Sequence, residues 1–366
     1  MSFAYALIAI LGLAVLMVVH EGGHYLAARR FGMRVTKFSI GFGPTLWKHR
    51  PKNSPTTFQV AIIPFLAYVQ IAGMNPYEES DPKDPESYAN ASLWGRIVTI
   101  AAGPLANYLF ASVLMFFGFL LGGNYVVDEA SMKVHVGAEG PAAKAGIIDG
   151  DRILTVNGDA VKDWDMLKKQ IGAHPGDKID IEVERAVKGG AAGATEKLHF
   201  STTPVGEGET KGKILVGPEG HIEPVSVGQA ALLSVKKPPL VVYELVKGLA
   251  RMIAGKEKPV LSGPVGIVRE VGAAAKDGPH SYLMLLGALS AYLGGFNLLP
   301  FPALDGGRLL FLGFEAASRR KADAKIEAKV HAIGLLMFLT LIAFVTYTEV
   351  IPKRAATEET AKPAAK

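Results

Sequence analysis

The chain has 366 residues, 49% of them hydrophobic, and a formal net charge of +5. Its mean hydropathy of +0.24 is high for a soluble protein and makes the membrane the first environment to consider. It contains no cysteine, which excludes disulfides and leaves histidine and carboxylate as the ligands for any zinc.

Residues 1–30 form the first predicted transmembrane helix. Phe3 to Val19 carries no charge and continues into "HEGGH" with neither a basic n-region nor a small-residue cleavage site, so a retained span is predicted rather than a signal peptide. Residues 31–96 form a cytoplasmic-side loop. Within it "TTFQVAIIPFLAYVQIAG" is β-branched and aromatic, with Pro64 near its middle. It is too short and broken for a spanning helix and reads as a membrane-associated β-hairpin or looped strand. The acidic "NPYEESDPKDPESYANAS" behind it reads as a mobile loop.

A second span is predicted over 97–121, then a compact, mostly β external domain over 124–205. Gly-Asp and Asn-Gly turns separate its short β-branched runs, and "VKGGAAGATEK" reads as an exposed hairpin loop. A linker with an amphipathic juxtamembrane helix occupies 206–281. Span three, 282–310, a cytoplasmic loop, 311–331, and span four, 332–351, precede a disordered tail, 352–366. Four helices would then cross a hydrocarbon core of roughly 30 Å at about 1.5 Å per residue.

Arg29, Arg30, Arg34, Lys37, Lys48, Arg50 and Lys52 follow span one, and Arg308, Arg319, Arg320, Lys321, Lys325 and Lys329 lie between spans three and four. Both stretches should be cytoplasmic, leaving the N-terminus, the middle domain and the tail outside. The basic pI then reflects contact with anionic lipid, with no nucleic-acid partner.

Positions i and i+4 share a helix face, so His20 and His24 can present ring nitrogens to one ion while Glu21 leans on a water held there. Zinc lowers the pKa of such a water to about 7, and a glutamate can pass its proton to a leaving amine. Polar groups like these at the end of an apolar helix are costly unless they face a cavity. A catalytic zinc needs a third protein ligand. Asp305 in "NLLPFPALDGGRLL", where two prolines break the helix, is the leading candidate, with His331 and Glu315 as rivals. Asn297 either satisfies carbonyls freed by the prolines or bonds to substrate. Asn107, in "AAGPLANYL", serves either helix packing or the substrate.

"HEGGH", "FSIGFGPTLWK", "AAGPLAN", "LSGPVGI" and "NLLPFPALDGGRLLF", in this order, resemble the site-2 protease family of intramembrane zinc metalloproteases, and within it the branch of the bacterial regulator of sigma-E protease. The resemblance implies a zinc ion on His20, His24 and Asp305, Glu21 as general base, and substrate handling by Asn297 and Asn107. It also implies that "GPAAKAGIIDGDRILTVNGDAV" belongs to a periplasmic PDZ domain and that the enzyme resides in the bacterial cytoplasmic membrane. Its partners would be the lipid bilayer, a possible PDZ ligand, and single-pass substrates such as anti-sigma factors or signal-peptide remnants. Only one PDZ-like segment is found, where enterobacterial relatives carry two in tandem. The hairpin stretch would pair with an unwound substrate as an added strand, or else plug the cytoplasmic mouth. A catalytically silent PDZ-bearing adaptor and a metal transporter are the competing classes.

Overall fold

The computed structural model describes residues 2–351 other than 76, 78–80, 82, 138–139, 188, 190–192, 207–211 and 256–261, and the side chains of all these except 64–66. The predicted tail at 352–366 lies outside the described residues. Two compact units emerge: 1–121 with 226–249 and 259–366, and 122–225 with 250–258.

In the first unit, α1 (Phe3–Arg30) is apolar nearly all round and ends on Arg29 and Arg30. Its buried residues, Ala9, Gly12, Leu16, His20, His24 and Ala28, recur every three or four positions and form one stripe. Leu7, Leu11, Val15 and Leu26 remain exposed on its other faces, as suits contact with lipid. β1 (Val35–His49) pairs with β2 (Thr57–Ile71). The stretch expected as a hairpin or looped strand is one arm of a longer hairpin, because "VTKFSIGFGPTLWKH" is extended too and supplies the other. Repeated register shifts give residues 37–40 two sets of partners: Ile40 faces both Ala67 and Val60. Phe42, Leu46, Trp47 and Ile62 are more than half exposed, leaving an apolar surface on the hairpin.

Of the acidic stretch expected to be mobile, residues 84–88 are strapped to the base of the hairpin, whereas 76, 78–80 and 82 lie outside the described residues. Arg34 N–H donates to Glu86 O (2.8 Å), Tyr88 N–H donates to Ala72 O (2.8 Å), and the Arg34 guanidinium pairs with Asp84 and Glu86. α2 (Leu93–Gly122) then runs for 30 residues with Pro104 inside it.

The second unit contains β3 (Asn124–Val127), β4 (Val134–Val136), α3 (Pro141–Ala145), β5 (Arg152–Val156), β6 (Asp159–Ala160), α4 (Trp164–Gly172), β7 (Ile179–Ala186), β8 (Thr195–Thr202), β9 (Val216–Pro218) and β10 (Gly220–Glu223). The strands β6-β5-β7-β8 form a sheet, β4 pairs with β9, and β3 with β10. Ile153, Ile179, Ile181 and Val183 turn inward from the sheet onto Leu167 and Ile171 of α4. Asp151, fully buried, is held by two 2.7 Å bonds from Arg185, whose guanidinium keeps its proton more firmly for that pairing. The expected boundary at 205 is too early. Ile214 belongs to the core, and β9 and β10 return to pair with the first strands, so this unit extends through 225.

α5 (Val227–Ile253) is the expected amphipathic helix. α6 (Pro264–Asp277), within the expected linker, packs Ile267, Val268 and Val271 against Ala9 and Leu16 of α1. Glu349 accepts N–H bonds from Gly263 (2.6 Å) and Gly266 (3.4 Å) at the start of α6, and a Cβ on either glycine would lie within 2.6 Å of that carboxylate, which accounts for both glycines of "LSGPVG". α7 (Pro279–Asn297), α8 (Asp305–Ser318) and α9 (Ala324–Val350) complete the chain. The expected loop at 311–331 is largely helical, because α8 continues to Ser318 and Asp323 caps α9 through Lys325 N (2.8 Å). Among the described residues three helices are long and apolar enough to cross a membrane: α1, α2 and α9. α7, expected as a fourth, has 19 residues, and His280, two serines and several glycines make it less apolar.

Candidate metal centre

α1 and α2 pack with their numbering running in opposite directions. His20 meets Asn107, and His24 meets Thr99 and Gly103. Thr99, Gly103 and Asn107 stand four apart on α2, and His20 and His24 four apart on α1, so two stripes face one another. Gly23 permits the approach, since a Cβ there would lie 2.9 Å from that of Ala106 and closer still to the Ala102 carbonyl.

Asp305 arrives from the other side. α7 stops at Asn297, Pro300 and Pro302 prevent its continuation, and α8 starts at Asp305 itself, where a carboxylate is favoured by the helix dipole. Its Oδ2 lies 3.2 Å from His20 Nε2 and 3.3 Å from His24 Nε2, and the two Nε2 atoms are 3.2 Å apart. Both histidines are buried, at 5% and 8% exposure.

The protonation pattern explains what this triangle requires. His24 Nδ1 lies 2.8 Å from Thr99 O, an acceptor only, so its proton is on Nδ1 and its Nε2 lone pair is free. The Asn107 amide lies 3.3 Å from His20 Nδ1, and its Oδ1 is otherwise buried without a partner. Turned so that Oδ1 accepts from Nδ1–H, it frees His20 Nε2 in the same way. Asp305 Oδ2 likewise has no hydrogen-bond donor. Three lone-pair donors converge in a mostly buried site, and a cation is what would satisfy them. Tetrahedral zinc with bonds of about 2.0–2.1 Å separates its ligands by about 3.3 Å, which matches the triangle.

Among the described residues these three form the one grouping of histidines and carboxylates close enough to share an ion. Glu315 is instead held by Arg96 through bonds of 2.9 and 2.5 Å. His331 accepts from Ala303 N–H (3.0 Å) and stays outside the triangle. Glu21 stands next to His20 on α1, and β2 packs along this helix, with Phe58 against Tyr25 one turn beyond Glu21. Asn297 Nδ2 donates to Leu293 O within its own helix (2.9 Å). Asn107, expected to serve either helix packing or the substrate, is fully buried and reaches His20 Nδ1. Thr99 and Gly103 also bear on His24, and their signal in the sequence is the four-residue spacing that ends at Asn107, with Gly103 otherwise reading as a close-packing residue.

Apolar helices around a His-His-Asp triangle, its histidines buried and its aspartate half-buried, with an adjacent glutamate define a membrane metalloprotease. The chain belongs to peptidase family M50, whose model matches residues 8–341, and it is a zinc-dependent enzyme. A protein of Mesorhizobium japonicum described as a zinc metalloprotease is 33% identical over 359 residues, spanning 92% of this chain and 96% of its own. Zinc metalloprotease RasP of Geobacillus kaustophilus is 30% identical over 416 residues, spanning 92% of this chain and 95% of its own. A Nostoc protein of like description is 32% identical over 359 residues, spanning 94% and 95%.

Proposed function

We propose that the chain is an intramembrane endopeptidase that cuts single-pass membrane proteins within or near their spanning segment, with His20, His24 and Asp305 holding the zinc. The triangle of bare donor atoms carries this reading. Zinc, when bound, supplies Lewis-acid activation of a water. Glu21 takes the proton of the attacking water and delivers it to the amide nitrogen as the C–N bond breaks. Thr99 O and Asn107 orient the two imidazoles, and Asn297 stands beside the substrate's path at the end of α7.

Four helices, α1, α2, α7 and α9, span the bacterial cytoplasmic membrane. The basic stretches face the cytoplasm, so the centre opens near that side. The second unit is a single PDZ-like domain on the outer face that selects substrates already trimmed there; anti-sigma-factor-like proteins and signal-peptide remnants fit this requirement. A helical substrate hides its scissile amide in its own hydrogen bonds, and β2 receives it as an added strand. The packing of β2 along α1, with Phe58 of β2 against Tyr25 one turn from Glu21, supports that placement.

Purified protein compared with Glu21→Gln tests the reading. The variant retains zinc and loses cleavage of a model single-pass substrate. Equal cleavage by both would refute the role of Glu21, and absence of cleavage by the wild type under all conditions would favour a silent PDZ-bearing adaptor.

A further inference from the structure

Asp305 reaches the metal centre on a short, unusual piece of chain. In the segment 298–304, Ala303 has φ +75°, a left-handed conformation that an L-residue with a Cβ resists and adopts only where its surroundings impose it. Two contacts from α9 impose it. His331 Nδ1 accepts the Ala303 N–H at 3.0 Å. Gly334, three residues along and on the same face, admits Pro302 so closely that a Cβ would lie 2.7 and 2.8 Å from the Pro302 carbonyl carbon and oxygen.

A backbone N–H can only donate, so Nδ1 of His331 carries the lone pair and its proton sits on Nε2. That Nε2–H is buried with no hydrogen-bond partner. An unpaired buried donor is unfavourable, so the ring is held in this tautomer by what Nδ1 does. We infer that His331 is a positioning residue for the metal centre: by accepting from Ala303 it holds the left-handed turn that aims the Asp305 carboxylate at His20 and His24. The inference rests on the reading of Asp305 as a metal ligand.

Zinc affinity, measured by chelator competition on the full chain in detergent, tests this together with the visible absorption of the cobalt-substituted protein. His331→Phe keeps a ring beside Phe311, whose centroid is 6.0 Å away, but removes the acceptor. It should weaken zinc binding about 10- to 100-fold, as loss of a supporting partner does, and should alter the cobalt spectrum. Adding Ala303→Gly should restore most of both, because glycine adopts positive φ without opposition. A silent His331→Phe would overturn the inference, as would a loss that Ala303→Gly leaves unchanged in a folded protein. If the phenylalanine variant does not fold, His331→Gln, which brings an acceptor, should bind zinc more tightly than His331→Leu; equal affinities would overturn the inference. Asp305→Ala separates the two levels. Unchanged zinc binding there defeats the ligand reading itself, whereas its loss beside a silent His331→Phe defeats only the positioning role.

Discussion

Substituting alanine for Gly103 perturbs the metal centre without altering a ligand. A Cβ at this position of α2 would lie 2.6 Å from His24 Cε1, 2.7 Å from Cδ2, and closer still to Nε2. Ordinary carbon contacts fall near 3.5–4.0 Å, so the imidazole must retreat by about 1 Å. It has little freedom to do so, because Nδ1 is tied to Thr99 O at 2.8 Å on the same helix. Functional constellations tolerate displacements of about 0.5 Å, and an error near 1 Å can cost about 10²-fold in rate. Gly103→Ala should therefore lower both zinc affinity and kcat/KM by about two orders of magnitude. Helix propensity acts in the opposite direction, favouring alanine by about 0.8–1.0 kcal/mol, so unfolding of α2 would not be the cause. Chelator competition and cleavage of a model substrate, read beside helicity by circular dichroism, make the test. Wild-type zinc affinity in this variant would show that the α1–α2 contact does not set the His24 position.

Three further outcomes follow from the same contacts. Asn107→Ala removes the partner of His20 Nδ1 and should weaken zinc binding about 10-fold or more while leaving the protein folded, checked by the same chelator titration. His24→Ala and Asp305→Ala should each abolish tight zinc binding in metal analysis of the purified protein, and retained zinc in either would move the centre elsewhere. Arg96→Met leaves the Glu315 carboxylate, about 13% exposed, without its partner. It should cost about 3–5 kcal/mol, seen as a lowered melting temperature, with partial recovery on adding Glu315→Leu.

How far these features were legible depends on the range of the interaction that creates them. The shared face of His20 and His24 follows from helical periodicity, and the break before Asp305 from two prolines. Both are local, and they nominated residues that the fold brings within 3.3 Å of each other. Asn107 could be singled out but not placed, because only the packing of α1 on α2 sets it against His20. The Arg34 strap and the return of β9 and β10 depend on pairings between distant segments, and acidic or glycine-rich composition concealed them. Ala303 gives no local sign of its left-handed turn, since alanine has no preference for it and the cause lies 28 residues away at His331.

The central claim is that this centre hydrolyses a peptide bond at membrane depth. Its most direct test is to incubate the purified enzyme with a single-pass substrate in lipid bilayers prepared in ¹⁸O-water and to map the products by mass spectrometry. A cut within or at the edge of the substrate's apolar segment is expected, with ¹⁸O in the new carboxyl terminus. That cut should vanish with a zinc chelator or Glu21→Gln and return when zinc is restored to the wild type. Cleavage confined to the substrate's soluble portions, or an apolar cut that persists in Glu21→Gln, would contradict it.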